Sequence, residues 1–355
     1  MNPRAHVVKV AEVIVETADA ATLVFDIPGD LADRFAYRPG QYLTLKVPSD
    51  RTGSVARCYS LCSSPRCDDR LAVTVKRTAG GYASNLLCDT VAAGDLITVL
   101  EPAGTFGPRD FDSDALLCAG GSGITPIMSI MRTMLVAGRA KILLLYANRD
   151  RESVIFGRRL REMSVRYPGR LRIVHWFETD RGRPTGAAVA DLLRRDARRE
   201  WYVCGPVGFT DVIHHAATML RVPPGRVHRE DYRSLDHNPF ESASETTTFA
   251  MPSPGAGSAG SIGDSTVLQV EIDGQTHTFD WPRRTKLLDL LLDKGIDAPY
   301  VCRESACGTC VCSVKQGRTR MLQNEALIDD ELAQGLTLAC QTLPESPRVH
   351  IVFDQ

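Results

Sequence analysis

Four of the eleven cysteines in this 355-residue chain, Cys302, Cys307, Cys310 and Cys340, follow a C-x4-C-x2-C pattern with the last thiol set apart by 29 residues. Three thiolates in one short loop with a remote fourth suit a 2Fe-2S cluster of the plant type. The loop Cys302-Arg-Glu-Ser-Ala-Cys307-Gly308-Thr309-Cys310 is small and polar. Backbone amides can therefore approach bridging sulfides, and Gly308 can take conformations closed to other residues. Amide donors to sulfur help set the potential of such a centre. Structural zinc is the other use of four thiolates, but zinc ribbons usually pair two short knuckles. Cys312, two residues past Cys310, is expected to be a small buried strand residue and not a ligand. Cys58, Cys62, Cys67 and Cys88 suggest no second cluster, and Cys58 and Cys62 lie in an alternating stretch that points to a core.

A second group of motifs suits a flavin. Arg57-Cys58-Tyr59-Ser60 closes an alternating strand pattern, and Gly80-Gly81-Tyr82-Ala83-Ser84-Asn85 opens a short helical one. An Arg grips phosphate with two parallel bonds, an aromatic ring stacks on the isoalloxazine, and a Ser hydroxyl can bond flavin N5. A Gly-rich turn before a helix offers amides to a pyrophosphate. Each motif alone is weak, because Tyr and Ser are common in strands, but their order together points to FAD.

A third group suits a dinucleotide. Ala119-Gly120-Gly121-Ser122-Gly123-Ile124-Thr125-Pro126 follows a short apolar run and precedes a helical one, where a phosphate-cradling loop belongs. The G-x-G-x-x-G pattern is not met, since Pro126 stands at the third glycine, although Pro suits the first turn of a helix. A plain glycine turn is the alternative. Cys204-Gly205-Pro206 ends a further strand pattern, at the edge where open α/β sheets bind ligands. Cys204 there either faces a nicotinamide or is an ordinary buried strand end.

The elements that must carry these residues divide into blocks. A chain of 355 residues exceeds the size of one growing core, and we expect a multi-domain protein. Residues 1–110 alternate in short segments broken by Pro-Gly and Gly-Gly turns, which predicts an antiparallel β-barrel. Residues 111–235 alternate strand and helix, including a helix over 152–166 and a last strand over 226–232, which predicts an α/β domain on a parallel sheet. Residues 236–264, rich in Ser, Thr, Ala, Gly and Pro from Glu241 onward, read as a flexible linker. Residues 265–355 form a small domain of strand, hairpin and helix around the cysteine loop.

Composition excludes several classes. A pI of about 6.7 and a net charge of −1 give no basic surface for nucleic acid. The longest strongly apolar run, Ile142 to Ala147, is far short of a membrane span, so no membrane partner is expected. The first residues lack the apolar stretch of a secretion signal, and the thiols are expected to stay reduced in the cytoplasm. Charge is uneven, with nine Lys and Arg against thirteen Asp and Glu from Ser265 onward.

Taken together, these motifs resemble the ferredoxin-NADP reductase superfamily, in a form with a C-terminal ferredoxin domain. The chain is similar over nearly its whole length to the oxygenase reductase components that serve 3-ketosteroid 9α-hydroxylases, and phenylacetyl-CoA epoxygenase reductases share the domain order. The likeness runs through Arg57 to Ser64, Val73 to Arg77, Gly81 to Asn85, Gly121 to Ile130, Tyr146 to Arg149 and the cysteine loop. It implies a β-grasp ferredoxin domain and FAD on the barrel, with Arg57, Gly81, Tyr82, Ala83 and Ser84 at the pyrophosphate and Tyr59 and Ser60 at the isoalloxazine. Lys76 joins this cofactor-binding set. The resemblance places the nicotinamide nucleotide against Gly121, Ser122, Gly123, Thr125, Pro126, Cys204, Gly205 and Pro206, with Asn148 and Arg149 at the adenosine ribose. It assigns Glu230 and Tyr232 to the far side of the flavin, and Ser60, Cys204 and Glu230 to catalysis. Arg149 keeps NADPH open, while the resemblance favours NADH. The implied chemistry is hydride transfer from NADH to flavin N5, then single electrons through the cluster to a partner oxygenase.

Overall fold

The structure is a computed structural model that describes residues 4–230, 238–240, 265–300, 302–305, 307–327 and 329–353. The chain forms two compact units, one spanning Pro3–Ser234 and the other Leu235–Gln355 with the first two residues. The expected linker, 236–264, lies outside the described residues except for 238–240, and so does Tyr232.

The first unit begins with strands β1 (Ala5–Thr17), β2 (Ala20–Asp26), β3 (Tyr42–Ser49), β4 (Gly53–Ser60) and β5 (Leu71–Lys76), helix α1 (Tyr82–Thr90) and strand β6 (Leu96–Leu100). They pair antiparallel in the order β4-β3-β6-β1-β2-β5, and a bridge from Leu61 to Val73 joins the ends. Alternate residues such as Val8 and Val10, Leu43 and Leu45, and Val73 and Val75 fill one core, as the two-residue period of a strand requires.

The same unit continues with β7 (Ala115–Gly120), α2 (Ile124–Ala137), β8 (Ile142–Asn148), α3 (Gly157–Arg166), β9 (Leu171–Phe177), α4 (Glu178–Arg181), α5 (Gly186–Leu193), β10 (Glu200–Cys204), α6 (Val207–Met219) and β11 (Val227–Glu230). This sheet is parallel in the order β11-β10-β7-β8-β9. Residues of β7 and β8 are buried throughout, because helices cover both faces. The helix expected over 152–166 starts only at Gly157. Asp150 takes the Ser153 amide in a tight turn, and Phe156 adopts φ +61, so the chain cannot enter a helix sooner. Helix α5 was not anticipated. Thr185 caps it by accepting from the Ala188 amide at 3.3 Å.

The second unit contains β12 (Ser265–Ile272), β13 (Gln275–Pro282), α7 (Leu287–Asp293), β14 (Val311–Gln316), β15 (Thr319–Met321), α8 (Asp329–Ala333), β16 (Leu336–Leu338), β17 (Thr342–Pro344) and β18 (Arg348–Val352). Its main sheet runs β13-β12-β18-β14-β16, with β12 and β18 parallel and the other neighbours antiparallel. Leu287, Leu288, Leu290 and Leu291 bury α7 in a core shared with Leu268, Val270 and Ile351. Among the described residues, no helix is long and apolar enough to cross a membrane.

Candidate functional site

In the second unit the chain leaves α7, makes the cysteine loop and enters β14. The Ala339 amide donates to the Cys310 carbonyl at 3.0 Å, which brings Cys340 beside a thiol from which 29 residues separate it in sequence. All four thiols are buried. They fall into two pairs, Cys302 with Cys307 and Cys310 with Cys340, each sharing a hydrogen bond. The bond received from Cys302 pulls Cys307 down to about 6, whereas donating that bond, with burial, pushes Cys302 well up. The second pair repeats this, with Cys340 lowered by the bond from Cys310 and Cys310 raised.

Two pairs of thiols suit two irons with two thiolates each. Loop geometry fits the same group. Arg303 and Ser305 carry φ of +61 and +66, conformations that cost a non-glycine residue energy, and Gly308 has +68. Amides turned inward by this winding reach sulfur: Glu304 donates to Cys302 Sγ at 3.3 Å and Thr309 to Cys307 Sγ at 3.5 Å. Ser305 Oγ is buried without a partner, a donor left for a sulfide. Gln341 Nε2 pins the loop by donating to the Arg303 carbonyl at 2.9 Å. Cys312 is buried on β14, facing Thr337, and stands outside this arrangement.

On the barrel, alternation along β4 sets Arg57 and Tyr59 on one face and Cys58 and Ser60 on the other. Burial pushes the Tyr59 phenol up to about 12, so the ring is neutral and apolar, as a stacking surface must be. Ser60 is buried at the last position of the strand. Gly81 precedes α1, and no side chain caps that helix end. An added Cβ at Gly81 would lie 2.9 Å from Thr78 Cβ. Ser84 Oγ accepts from the Thr78 amide at 3.1 Å, and Asn85 donates to the carbonyls of Thr78 and Gly81. The turn is thus fixed by its own side chains, and the first-turn amides face outward to a phosphate. Tyr82 is exposed and Ala83 buried at this turn.

On the parallel sheet, register does the assembling. Ala119, Cys204 and Glu230 are partners across β7, β10 and β11. The glycine loop, Cys204-Gly205-Pro206 and Glu230 therefore share one carboxyl edge, at the point where strand order reverses. An added Cβ at Gly123 would collide with the Cys204 carbonyl, and Gly121 has φ +53, so both positions need glycine. Gly205 packs against Gly120, and Pro206 also borders it. Thr125 Oγ1 donates to the Ser122 carbonyl at 3.1 Å, and Pro126 is buried in the first turn of α2. Cys204 is fully buried and Glu230 half-buried. Asn148 ends β8, buried beside the Tyr146 phenol at the carboxyl edge of the sheet. Arg149 points outward beside it, bonded to Asp150 at 2.8 Å.

Two links join barrel and sheet. Lys76, at the end of β5, places Nζ 3.9 Å from the position of a Cβ on Gly121 and pairs with Asp19 at 3.7 Å. Helix α2 is clamped to the segment after β4: Ser129 Oγ donates to the Ser63 carbonyl at 2.5 Å, Thr133 and Ser64 hydroxyls meet at 2.8 Å, and Arg132 binds both oxygens of Asp68. Sequence reasoning missed this clamp. Its available signal was the polar set Ser129, Arg132 and Thr133 at i, i+3 and i+4 on an otherwise apolar helix.

Comparison with known proteins agrees with this geometry. The oxidoreductase FAD-binding domain family matches residues 7–107, the oxidoreductase NAD-binding domain family 117–215 and the 2Fe-2S iron-sulfur cluster binding domain family 270–345. The 3-ketosteroid-9-alpha-monooxygenase ferredoxin reductase component of Mycobacterium tuberculosis (strain ATCC 25618 / H37Rv) is 48% identical over 98% of this chain and 95% of its own. A subunit of the 1,2-phenylacetyl-CoA epoxidase of Escherichia coli (strain K12) is 31% identical over 98% of each chain. The solved structure of phthalate dioxygenase reductase covers 98% of both chains with a TM-score of 0.55 at 24% identity, a likeness of fold. The chain belongs to the FAD- and NAD-binding, 2Fe-2S oxidoreductases that serve oxygenases, in the family of the 3-ketosteroid-9-alpha-monooxygenase ferredoxin reductase components.

Proposed function

We propose that this chain is the cytoplasmic reductase of an oxygenase acting on 3-ketosteroids, drawing electrons from NADH and delivering them singly to the iron-containing oxygenase component. The observation that carries the reading is the junction in the first unit, where Lys76 of the barrel meets Gly121 and α2 is clamped to the segment after Ser60. Such a junction holds a flavin site and a nicotinamide site in one fixed relation. The steroid assignment is supported by 48% identity to the steroid reductases, against 31% to the epoxidase subunit.

When bound, FAD takes a hydride from NADH and releases electrons one at a time, which a 2Fe-2S cluster carries onward. Arg57 and the α1 turn hold the flavin pyrophosphate, Tyr59 covers the ring, and Ser60 bonds N5. Cys204 packs beside the nicotinamide, and Glu230 closes the far side. Cys302, Cys307, Cys310 and Cys340 hold the cluster. The acidic surplus after Ser265 favours a basic docking patch on the oxygenase, so added salt slows electron transfer to it.

Anaerobic titration with NADH, followed by visible absorption and electron paramagnetic resonance, tests the chain of carriers. Bleaching of flavin and iron-sulfur bands is expected, and a colourless protein or one inert to NADH would end the reading. Replacing Ser60 by Ala should slow hydride transfer in single turnovers more than it weakens NADH binding.

A further inference from the structure

At the edge of the parallel sheet beside the glycine loop stand three cations, and each faces a carboxylate. Lys76 pairs with Asp19 at 3.7 Å. Arg151 donates to Asp180 at 2.8 Å and lies over the Phe177 ring, 4.6 Å from its centroid. Arg149 Nε donates to Asp150 at 2.8 Å and its Nη2 to Ser153 Oγ at 3.2 Å.

Asp150 is itself held in place. Its Oδ1 accepts from the Ser153 amide at 2.8 Å and from the Ser153 hydroxyl at 2.6 Å. The Ser153 hydroxyl, then Arg149, keep this carboxyl lowered to about 2, so it is fully charged at neutral pH. Asp19 and Glu178 add negative potential around the same guanidinium. Immediately before this pair, Asn148 lies buried beside the Tyr146 phenol at the carboxyl end of β8, where an open α/β sheet receives the adenosine of a dinucleotide.

The two nucleotides differ there by a 2′-phosphate, which carries close to two negative charges and is normally accommodated by an arginine. We propose that Asp150 is the specificity-determining residue for NADH over NADPH: it occupies Arg149, the cation a 2′-phosphate would need, and repels that phosphate with its own charge. This rests on the reading of NADH as donor and adds the residue responsible.

The test is steady-state oxidation of NADH and NADPH by the full-length holoenzyme with ferricyanide as acceptor, in the native chain, Asp150→Asn, Asp150→Ser and the double variant Arg149→Gln/Asp150→Asn. Asparagine keeps the Oδ1 acceptor of the Ser153 turn while removing the charge, and serine guards against a local defect of the asparagine variant. In both single variants the ratio of kcat/KM for NADPH to that for NADH should rise about tenfold, through KM for NADPH, and the double variant should lose the gain. A native chain that uses NADPH as well as NADH defeats the donor reading. Preference for NADH that neither single variant relaxes overturns the role of Asp150, and a gain that survives loss of Arg149 overturns the release of that arginine.

Discussion

The cysteine loop and the barrel-to-sheet junction are assembled by opposite means. In the loop, three of four thiols and the amides that approach them come from nine consecutive residues, and one backbone bond from Ala339 supplies the fourth thiol. At the junction, Lys76, Gly121, Cys204, Glu230 and Arg132 come from five separate elements, brought together by strand register and by side chains crossing between barrel and sheet. A local site tolerates change elsewhere but fails completely when one ligand is lost. A distributed site degrades by steps.

Replacing Cys307 by Ala should therefore have the largest effect. If Cys307 is a ligand, one iron would lose a thiolate, and we expect the iron-sulfur absorption and oxygenase-coupled turnover to disappear. Flavin absorption and NADH–ferricyanide activity should persist, because the residues assigned to those steps lie in the first unit. Loss of both activities together would show that the two sites are not separable. Gly123→Ala should come next. The added methyl meets the Cys204 carbonyl, and a displacement of about 1 Å at a reacting centre costs about a hundredfold in rate. Stopped-flow reduction by NADH measures it, and a rate within threefold of native would show that the two loops can part without consequence.

This contrast also explains what could be read in the sequence. The candidate cysteine set could be read because a spacing rule acts within one loop, and Cys312 falls off that spacing. The barrel and the parallel sheet were legible from their two rhythms, alternation against strand and helix. The start of α3 was not, since Ser153 and Phe156 read as helical until Asp150 is seen to capture the Ser153 amide and Phe156 to turn left-handed. The pairing of Cys204 with Ala119 and Glu230 was likewise hidden, because register is a property of neighbouring strands and not of any one of them. The clamp from Arg132 to Asp68 joins residues 64 apart, and the polar spacing on α2 marks only the helix side of it, not the partner.

Removing that clamp should act more gently. In Arg132→Gln, Asp68 loses a two-point charged partner in a part-buried setting, a loss of about 1.5–3 kcal/mol. Urea unfolding of the first unit should shift to lower concentration, and hydride transfer should slow severalfold as α2 loosens, with the iron-sulfur spectrum untouched. An equal fall in cluster content would mean that the clamp supports the whole chain and not the junction.

The smallest effect expected lies at Tyr59 on the barrel and concerns pH. Burial raises the Tyr59 phenol from 10.0 to about 12. Between these values the unfolded chain has already lost the proton that the folded chain keeps. The folded state then binds more protons, and stability falls as pH rises. The contribution is intact below pH 10 and declines toward pH 12, by about 1 kcal/mol between pH 9 and pH 11. Tyr59→Phe removes the titrating group and leaves the ring, so the variant should lose less stability than the native chain over that interval. Tyr202, also raised to about 12 by burial, remains in both proteins and cancels from the difference. Parallel losses in the two proteins would mean that the Tyr59 hydroxyl reaches solvent, and that the ring offers the isoalloxazine a wetter face than the barrel core around it implies.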